Sequence, residues 1–202
     1  MTVPPPSALR PAVFLDRDGT LNEDVGYLSE LAHLTLYPWA IDAVRLLNHA
    51  GYVVAVVTNQ GGIGRRMIRP AFVDELHQEM ARRFAAGGAR VDGWYSCPHH
   101  PEALIDALRI DCECRKPGTG MPRQAAEELG IDLARSWVVG DKWLDVQLGH
   151  RIGGRSILVR TGWGRLEEAV RPEGQQVEAI CDTLAGAVAF LLDADLAAPR
   201  AV

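Results

Sequence analysis

No stretch of this chain stays apolar for the ~20 residues that a bilayer-spanning helix needs, so the sequence offers no transmembrane segment. Its opening residues, MTVPPPSALRP, lack the apolar centre of a secretory leader. Positive charge is not in excess. Lys and Arg number 21 against 26 Asp and Glu, for a net charge of −5, and no basic run gives nucleic acid a footprint. Internal repeats and low-complexity linkers are absent. The glycine-rich stretch TNQGGIGR has neither the G-x-x-x-x-G-K-[ST] nor the G-x-G-x-x-G spacing, which argues against a nucleotide cradle. It reads instead as a loop that lets backbone approach a substrate closely. Together these absences predict a cytoplasmic protein with neither a membrane nor a nucleic acid as partner, and a monomer.

What is present is an ordinary globular composition, 48% hydrophobic and 23% charged, enough for a sizeable core. Five apolar runs read as buried strands: AVFLD, YVVAVVT, GWYSC, WVVGD and SILVRT. Helical patterns lie between them. PWAIDAVRLLNHAG runs from a proline to a glycine, and RPAFVDELHQEMARRFAAGG repeats Phe72, Leu76, Met80 and Phe84 at four-residue spacing. GMPRQAAEELG, WLDVQLGHRIGG and DTLAGAVAFLLDADLA follow. This alternation predicts an α/β fold: a Rossmann-like parallel sheet with helices on both faces. We expect one domain over residues 12–195, a mobile lead-in over 1–11 and a tail over 196–202. The stretches between motifs hold too little chain for a cap domain, so loops must cover any cleft.

Several strands end in a polar group: Asp16, Thr58 and Asp141. In sheets of this kind ligands bind beyond the carboxyl ends of the strands. FLDRDGTLNED sets Asp16 at the end of the first strand and Asp18 on the turn, with Gly19 allowing the bend. Two carboxylates so close repel unless a cation relieves them. Mg²⁺ suits such a site, taking carboxylate oxygens together with substrate phosphate. Asp16, Asp18 and Asp141 are the expected ligands, with Asp145 one helical turn beyond Asp141. A division of labour follows. Asp16 attacks phosphorus, and Asp18 protonates the leaving oxygen and then takes a proton from water.

Three of the four cysteines cluster beside two histidines in CPHHPEALIDALRIDCECRKP. A reducing cytosol makes a metal the better reading than a disulfide. C-x-H and C-x-C give Cys97, His99, Cys112 and Cys114 as a closed tetrahedral Zn²⁺ set, with His100 as the alternative to His99. A closed set predicts a structural ion that staples the loop of about residues 97–116. Cys181 lies elsewhere and reads as a core cysteine. His33, His49, His77 and His150 have no partner by spacing and read as surface or helix-face residues. The five tryptophans read mainly as core, with Trp143, beside Asp141 and Lys142, placed to line a cleft.

The order DRDGTLN, VVTNQ, RKP and VVGDKWLD resembles the haloacid dehalogenase-like phosphohydrolase superfamily. The resemblance covers residues 12–161. It implies Asp16 as nucleophile, Asp18 as general acid and base, Thr58 and Lys116 on the transferring phosphoryl group, and Asp141 on Mg²⁺. The cysteine pattern is similar to that of a zinc-containing branch acting on heptose bisphosphate or on histidinol phosphate. The twelve residues between His99 and Cys112, with DVGYL and TNQGGIGR, resemble the heptose side of that branch. A small phosphorylated sugar is then the implied substrate. Its implied contacts are Asp24, Val25, Gly26 and Tyr27, then Thr58, Asn59, Gln60 and Gly61, with Arg115, Lys116 and Lys142. Two departures stand out: RKPGTGM for the usual RKPxPGM, and GRR for GRG.

Overall fold

A computed structural model of the chain describes residues 9–197. The mobile lead-in expected at the N-terminus and the last five residues of the tail lie outside the described residues, save that residues 9–11 are described. The first strand, β1 (Arg10–Leu15), is followed by α1 (Ala40–His49), β2 (Val53–Asn59), α2 (Pro70–Ala86) and β3 (Gly93–Cys97). Then come α3 (Gly120–Leu129), β4 (Ile131–Gly140), α4 (Trp143–Arg151) and β5 (Arg155–Val159). A six-residue α5 (Gly164–Ala169), a three-residue β6 (Ala179–Cys181) and α6 (Leu184–Ala197) complete the order. Arg10 and Pro11 therefore belong to the sheet, two residues before the expected domain start.

All six strands pair in parallel, in the order β3-β2-β1-β4-β5-β6. The β-branched runs are buried on both faces, as a sheet covered by helices demands. Val13 and Leu15 face the layer built by α1, α2 and α6, where Val44, Leu76, Phe84 and Val188 meet them. Ala12 and Phe14 face the other layer, against Met121 and Ala125 of α3 and Leu148 of α4. Among the described residues no cap domain interrupts the order; loops with two single turns of 3₁₀ helix, Leu31–His33 and Asp106–Leu108, join these elements. None of the described helices is long and apolar enough to cross a membrane.

The strand order reverses between β1 and β4, and there the carboxyl ends of neighbouring strands feed loops that diverge to opposite sides. Such a switch point leaves a crevice in which ligands bind. Asp16 directly follows β1 and Asp141 directly follows β4. The backbone ties the two ends together: Asp16 N–H donates to the carbonyl of Val139 at 2.9 Å.

The two departures noted in sequence both fall in tight turns. Arg66 holds a left-handed backbone, with φ of 58°, in the turn that precedes α2. Glycine adopts that conformation freely, whereas other residues bear a strain of about 1 kcal/mol or more. In RKPGTGM the turn folds onto the carbonyl of Glu113, which accepts from Gly120 N–H at 2.7 Å. A Cβ on Gly118 or Gly120 would collide with that carbonyl group.

Candidate active site and metal centre

Asp16, Asp141 and Asp145 bring carboxylate oxygens within 4.8 Å of one another at the crevice. All three are buried. Lys116 lies against two of them, its Nζ 2.7 Å from Asp16 Oδ1 and 2.7 Å from Asp145 Oδ1. The ammonium also donates to the carbonyl of Val57 at 2.9 Å. Burial pulls its pKa down, but Asp145 and then Asp16 outweigh burial and hold it above the ordinary range. Lys116 is kept there by Asn59, whose side-chain amide accepts from the Lys116 N–H at 2.9 Å and donates to its carbonyl at 3.2 Å. The loop that carries the lysine is thus clipped to the end of β2.

The carboxylates carry more negative charge than one lysine balances. Burial lifts Asp16 to about 6, Lys116 opposing and Asp145 adding to the rise. Burial lifts Asp141 to about 8, with repulsion from Asp16 second. Asp141 Oδ1 is enclosed and has no hydrogen-bond partner among the described residues, while Oδ2 accepts from the N–H of Trp163 at 2.8 Å. Gly19, at φ of 84°, and Gly162, at φ of 56°, close over this carboxylate, and a Cβ on either would strike it. An orphaned buried oxygen, beside carboxylates that resist ionisation, is what a hard divalent cation resolves. Asp16 and Asp141 have the free oxygens for it. Asp145 is already paired with Lys116 and also accepts from the Lys142 N–H, at 3.3 Å, at the start of α4.

Asp18 does not join that group through its carboxylate, contrary to the set expected from sequence. Its oxygens are held by a fork from Arg17, Nε at 3.2 Å and Nη2 at 2.7 Å, and by the amides of Asn22 at 2.9 Å and Gln60 at 3.0 Å. Burial raises its pKa, yet Arg17 and these donors prevail and lower it. Thr58 is buried, and its Oγ1 accepts from Gln60 Nε2 at 2.9 Å, which leaves its own proton free to be donated.

Asp16, Asp18, Thr58 and Lys116 line a cleft of about 240 Å³ whose walls include Asp24, Gly26, Tyr27, Arg115 and Lys142. Asn59, Gln60 and Gly61 line it too. Val25 does not; it is half exposed and faces solvent. Asp24 is already engaged by three donors. Its Oδ1 accepts from Gly26 N–H at 2.8 Å, and its Oδ2 accepts from Trp163 Nε1 at 2.9 Å and Lys142 Nζ at 3.3 Å. Trp143 turns away from the cleft at the first residue of α4 and donates to the carbonyl of Glu167 at 2.6 Å, so Leu144 takes the lining position. The tryptophan that reaches the site is Trp163. Nothing in its spacing announced it, since its two partners are the loop after β1 and the end of β4.

Tyr27 closes one side of the mouth. Arg65 Nη1 donates to its hydroxyl at 2.8 Å, and Gly62 lies directly beneath its ring. Beside the cleft stands the cysteine cluster. Cys97, His99, Cys112 and Cys114 bring their donor atoms within 4.8 Å of one another. Neighbouring donors are separated by 3.0 to 3.7 Å. Donors on a tetrahedral zinc would stand roughly 3.3–3.8 Å apart, so the set fits that ion with little adjustment. The ring nitrogen in the cluster is Nδ1 of His99. His100 instead lies on Gly61, where a Cβ would collide with it. Cys181 is partly buried at the end of β6 and packs against the edge of the core. Arg115 Nη1 donates to the carbonyl of His99 at 2.9 Å, so the cluster and the cleft share a wall.

Residues 113–187 match the sequence profile of the HAD-hydrolase-like family. The chain is 46% identical over 154 residues to the D-glycero-beta-D-manno-heptose-1,7-bisphosphate 7-phosphatase of Yersinia pestis, covering 75% of this chain and 81% of that one. It is 43% identical over 153 residues to the enzyme of the same name from Escherichia coli K12, covering 75% and 80%. Among solved structures, D,D-heptose 1,7-bisphosphate phosphatase from B. bronchiseptica, complexed with magnesium and phosphate, superposes with a TM-score of 0.79. That protein is 33% identical, and the match covers 91% of this chain and 99% of the other.

Proposed function

Because this chain belongs to the HAD-like hydrolases, among the heptose-bisphosphate phosphatases, we propose that it removes the 7-phosphate of D-glycero-D-manno-heptose 1,7-bisphosphate and leaves the 1-phosphate. The observation that carries the chemistry is the meeting of Asp16, Asp141 and Lys116 at the switch point of the sheet. Asp16 Oδ attacks phosphorus, a P–O bond forms, and the bond to the sugar oxygen breaks as Asp18 gives that oxygen a proton. Water then attacks phosphorus as Asp18 takes a proton from it, the P–O bond to Asp16 breaks, and inorganic phosphate leaves. Lys116 and the Thr58 hydroxyl, both buried, offset charge on the phosphoryl oxygens. Asp16 and Asp141 would hold Mg²⁺, which when bound neutralises the phosphoryl oxygens and orients them. The four-residue Cys₃His set would hold Zn²⁺ as a structural ion.

Specificity falls to the loops. Tyr27 and the backbone around Gly26 and Gly61 face the sugar, with Lys142 beside them. Asp24 acts by fixing Lys142 and the loop. Arg115 has donors left over after His99 and suits the remote phosphate of a bisphosphate. Measured kcat/KM should favour the heptose bisphosphate over histidinol phosphate. Arg115→Ala should weaken use of the bisphosphate by about tenfold, the worth of one lost charged hydrogen bond, and a simple monophosphate ester much less. A preference for histidinol phosphate, or an equal loss on both substrates, overturns the heptose reading and leaves the phosphatase chemistry standing.

Proton competition gives a second test. Before a cation binds, the folded protein holds Asp16 near 6 and Asp141 near 8, against an ordinary 3.8. Between those limits the folded state binds more protons than the unfolded chain, so these two groups make it less stable as pH rises. A divalent cation must displace those protons at pH 6 but few of them at pH 8. Added Mg²⁺ should therefore raise Tm more at pH 8 than at pH 6. An equal shift at both, or a larger one at pH 6, would count against Asp16 and Asp141 as ligands.

A further inference from the structure

Arg17, between Asp16 and Asp18, points away from the cleft into the protein and is 1% exposed. Among the described residues its one carboxylate partner is Asp18. Two of its nitrogens, Nε and Nη2, hold both oxygens of that carboxylate. The third, Nη1, stands 3.3 Å from Nε2 of His77, on the inner face of α2. A guanidinium only donates, so His77 Nε2 must accept, its proton sits on Nδ1, and the ring is neutral. A charged ring there would set two cations face to face in the interior. Burial, with Arg17 second, pushes His77 down to about 3, in accord with that geometry. The ring is itself held by Trp94 of β3, stacked at 4.9 Å between centroids. A buried cation with one counterion and one neutral acceptor has little freedom to turn.

We propose that His77 is a positioning residue for proton transfer: through Arg17 it fixes the direction in which the Asp18 carboxylate faces the leaving oxygen. The proposal rests on the reading of Asp18 as the proton donor. Without an acceptor at position 77, Nη1 is left buried and unpartnered, and the guanidinium rotates to find one. The fork on Asp18 is then lost, and with it the aim of the proton. Chemistry that needs no proton on the leaving group is spared.

The test compares two leaving groups by kcat/KM, which reports the steps up to formation of the aspartyl phosphate. A sugar phosphate releases a poor alkoxide and needs the proton; p-nitrophenyl phosphate releases a stable anion and does not. His77→Leu should lower kcat/KM for the sugar phosphate by about tenfold, a fraction of the 10²–10⁴ that general acids contribute. It should change that for p-nitrophenyl phosphate by less than about twofold, and His77→Gln, which keeps an acceptor, should recover most of the loss. Equal losses on both substrates, or no loss, overturn the proposal. Asp18→Asn separates the two readings. If it too is insensitive to the leaving group, the acid role of Asp18 fails; if it is selective while His77→Leu is not, the inference about His77 alone fails. A readout on the unaltered protein guards against a variant that does not fold. Nitrogen NMR should find the His77 ring neutral, with its proton on Nδ1, from pH 5 to 8. A proton on Nε2, or an imidazolium, would overturn the proposal.

Discussion

Asp16→Asn abolishes turnover and leaves the fold intact. The amide has nearly the same shape, so the end of β1 need not move, and Asp16 N–H still donates to Val139. What disappears is the nucleophilic oxygen and one of the two carboxylates with room for a cation. Removing a nucleophile outright costs many orders of magnitude in enzymes that act through one, so phosphate release should fall at least about a thousandfold. Stability should not fall with it. Lys116 keeps Asp145 as its partner, and a buried carboxylate held above its ordinary pKa has been removed. Tm in the absence of Mg²⁺ should therefore be unchanged or higher, and the increase on adding Mg²⁺ should shrink. Retention of more than about a tenth of the activity in a clean preparation would end the aspartyl-phosphate mechanism.

Loss of the zinc cluster should have the second largest effect, and on a different quantity. Protein purified without added metal should carry one zinc per chain by elemental analysis, and the Cys112→Ser/Cys114→Ser variant none. The cluster joins the end of β3 to the loop that carries Arg115 and Lys116, a segment with only one turn of 3₁₀ helix of its own. Cross-linking a loop of this length stabilises a protein by about 3 kcal/mol, which for a chain of this size is roughly 6–12 °C in Tm. The variant should lose about that much and be cut by protease within residues 97–116. Its kcat/KM should drop as well, because Arg115 is braced on His99 and Gly61 lies beneath His100. A zinc content near zero in the unaltered protein would sink the cluster reading.

The strands that carry the site were legible because burial on both faces writes them as unbroken β-branched runs, and each ends in a polar residue. The edge was not. β6 is three partly buried residues, too short and too weakly apolar to register, and α5 has only six residues. β4 starts six residues before the expected WVVGD, since Ile131 and Asp132 pair with Arg10 and Pro11 across an irregularity in register. At the site, Asp16, Thr58, Lys116 and Asp141 came from motif order, and the cysteine set from spacing. His77 did not, because its partner is Arg17, sixty residues away, and spacing cannot report a contact made by tertiary folding. It was read as a surface or helix-face histidine and is buried. The same blindness hid Trp163 and placed Trp143 in its stead.

The mouth of the cleft is a chain of handshakes between loops that arise far apart: Tyr27 with Arg65, Gly61 with His100, Arg115 with His99, Asp24 with Trp163. Side chains in direct contact do not contribute additively. A change at any one of these positions alters what its partner can be, so a new sugar preference is reached through pairs of substitutions and seldom through one. Drift at the mouth is consequently epistatic, and positions 27 and 65, or 24 and 163, should covary among relatives. The strand ends beneath, where Asn59 grips the backbone of Lys116 whatever covers them, are insulated from that history.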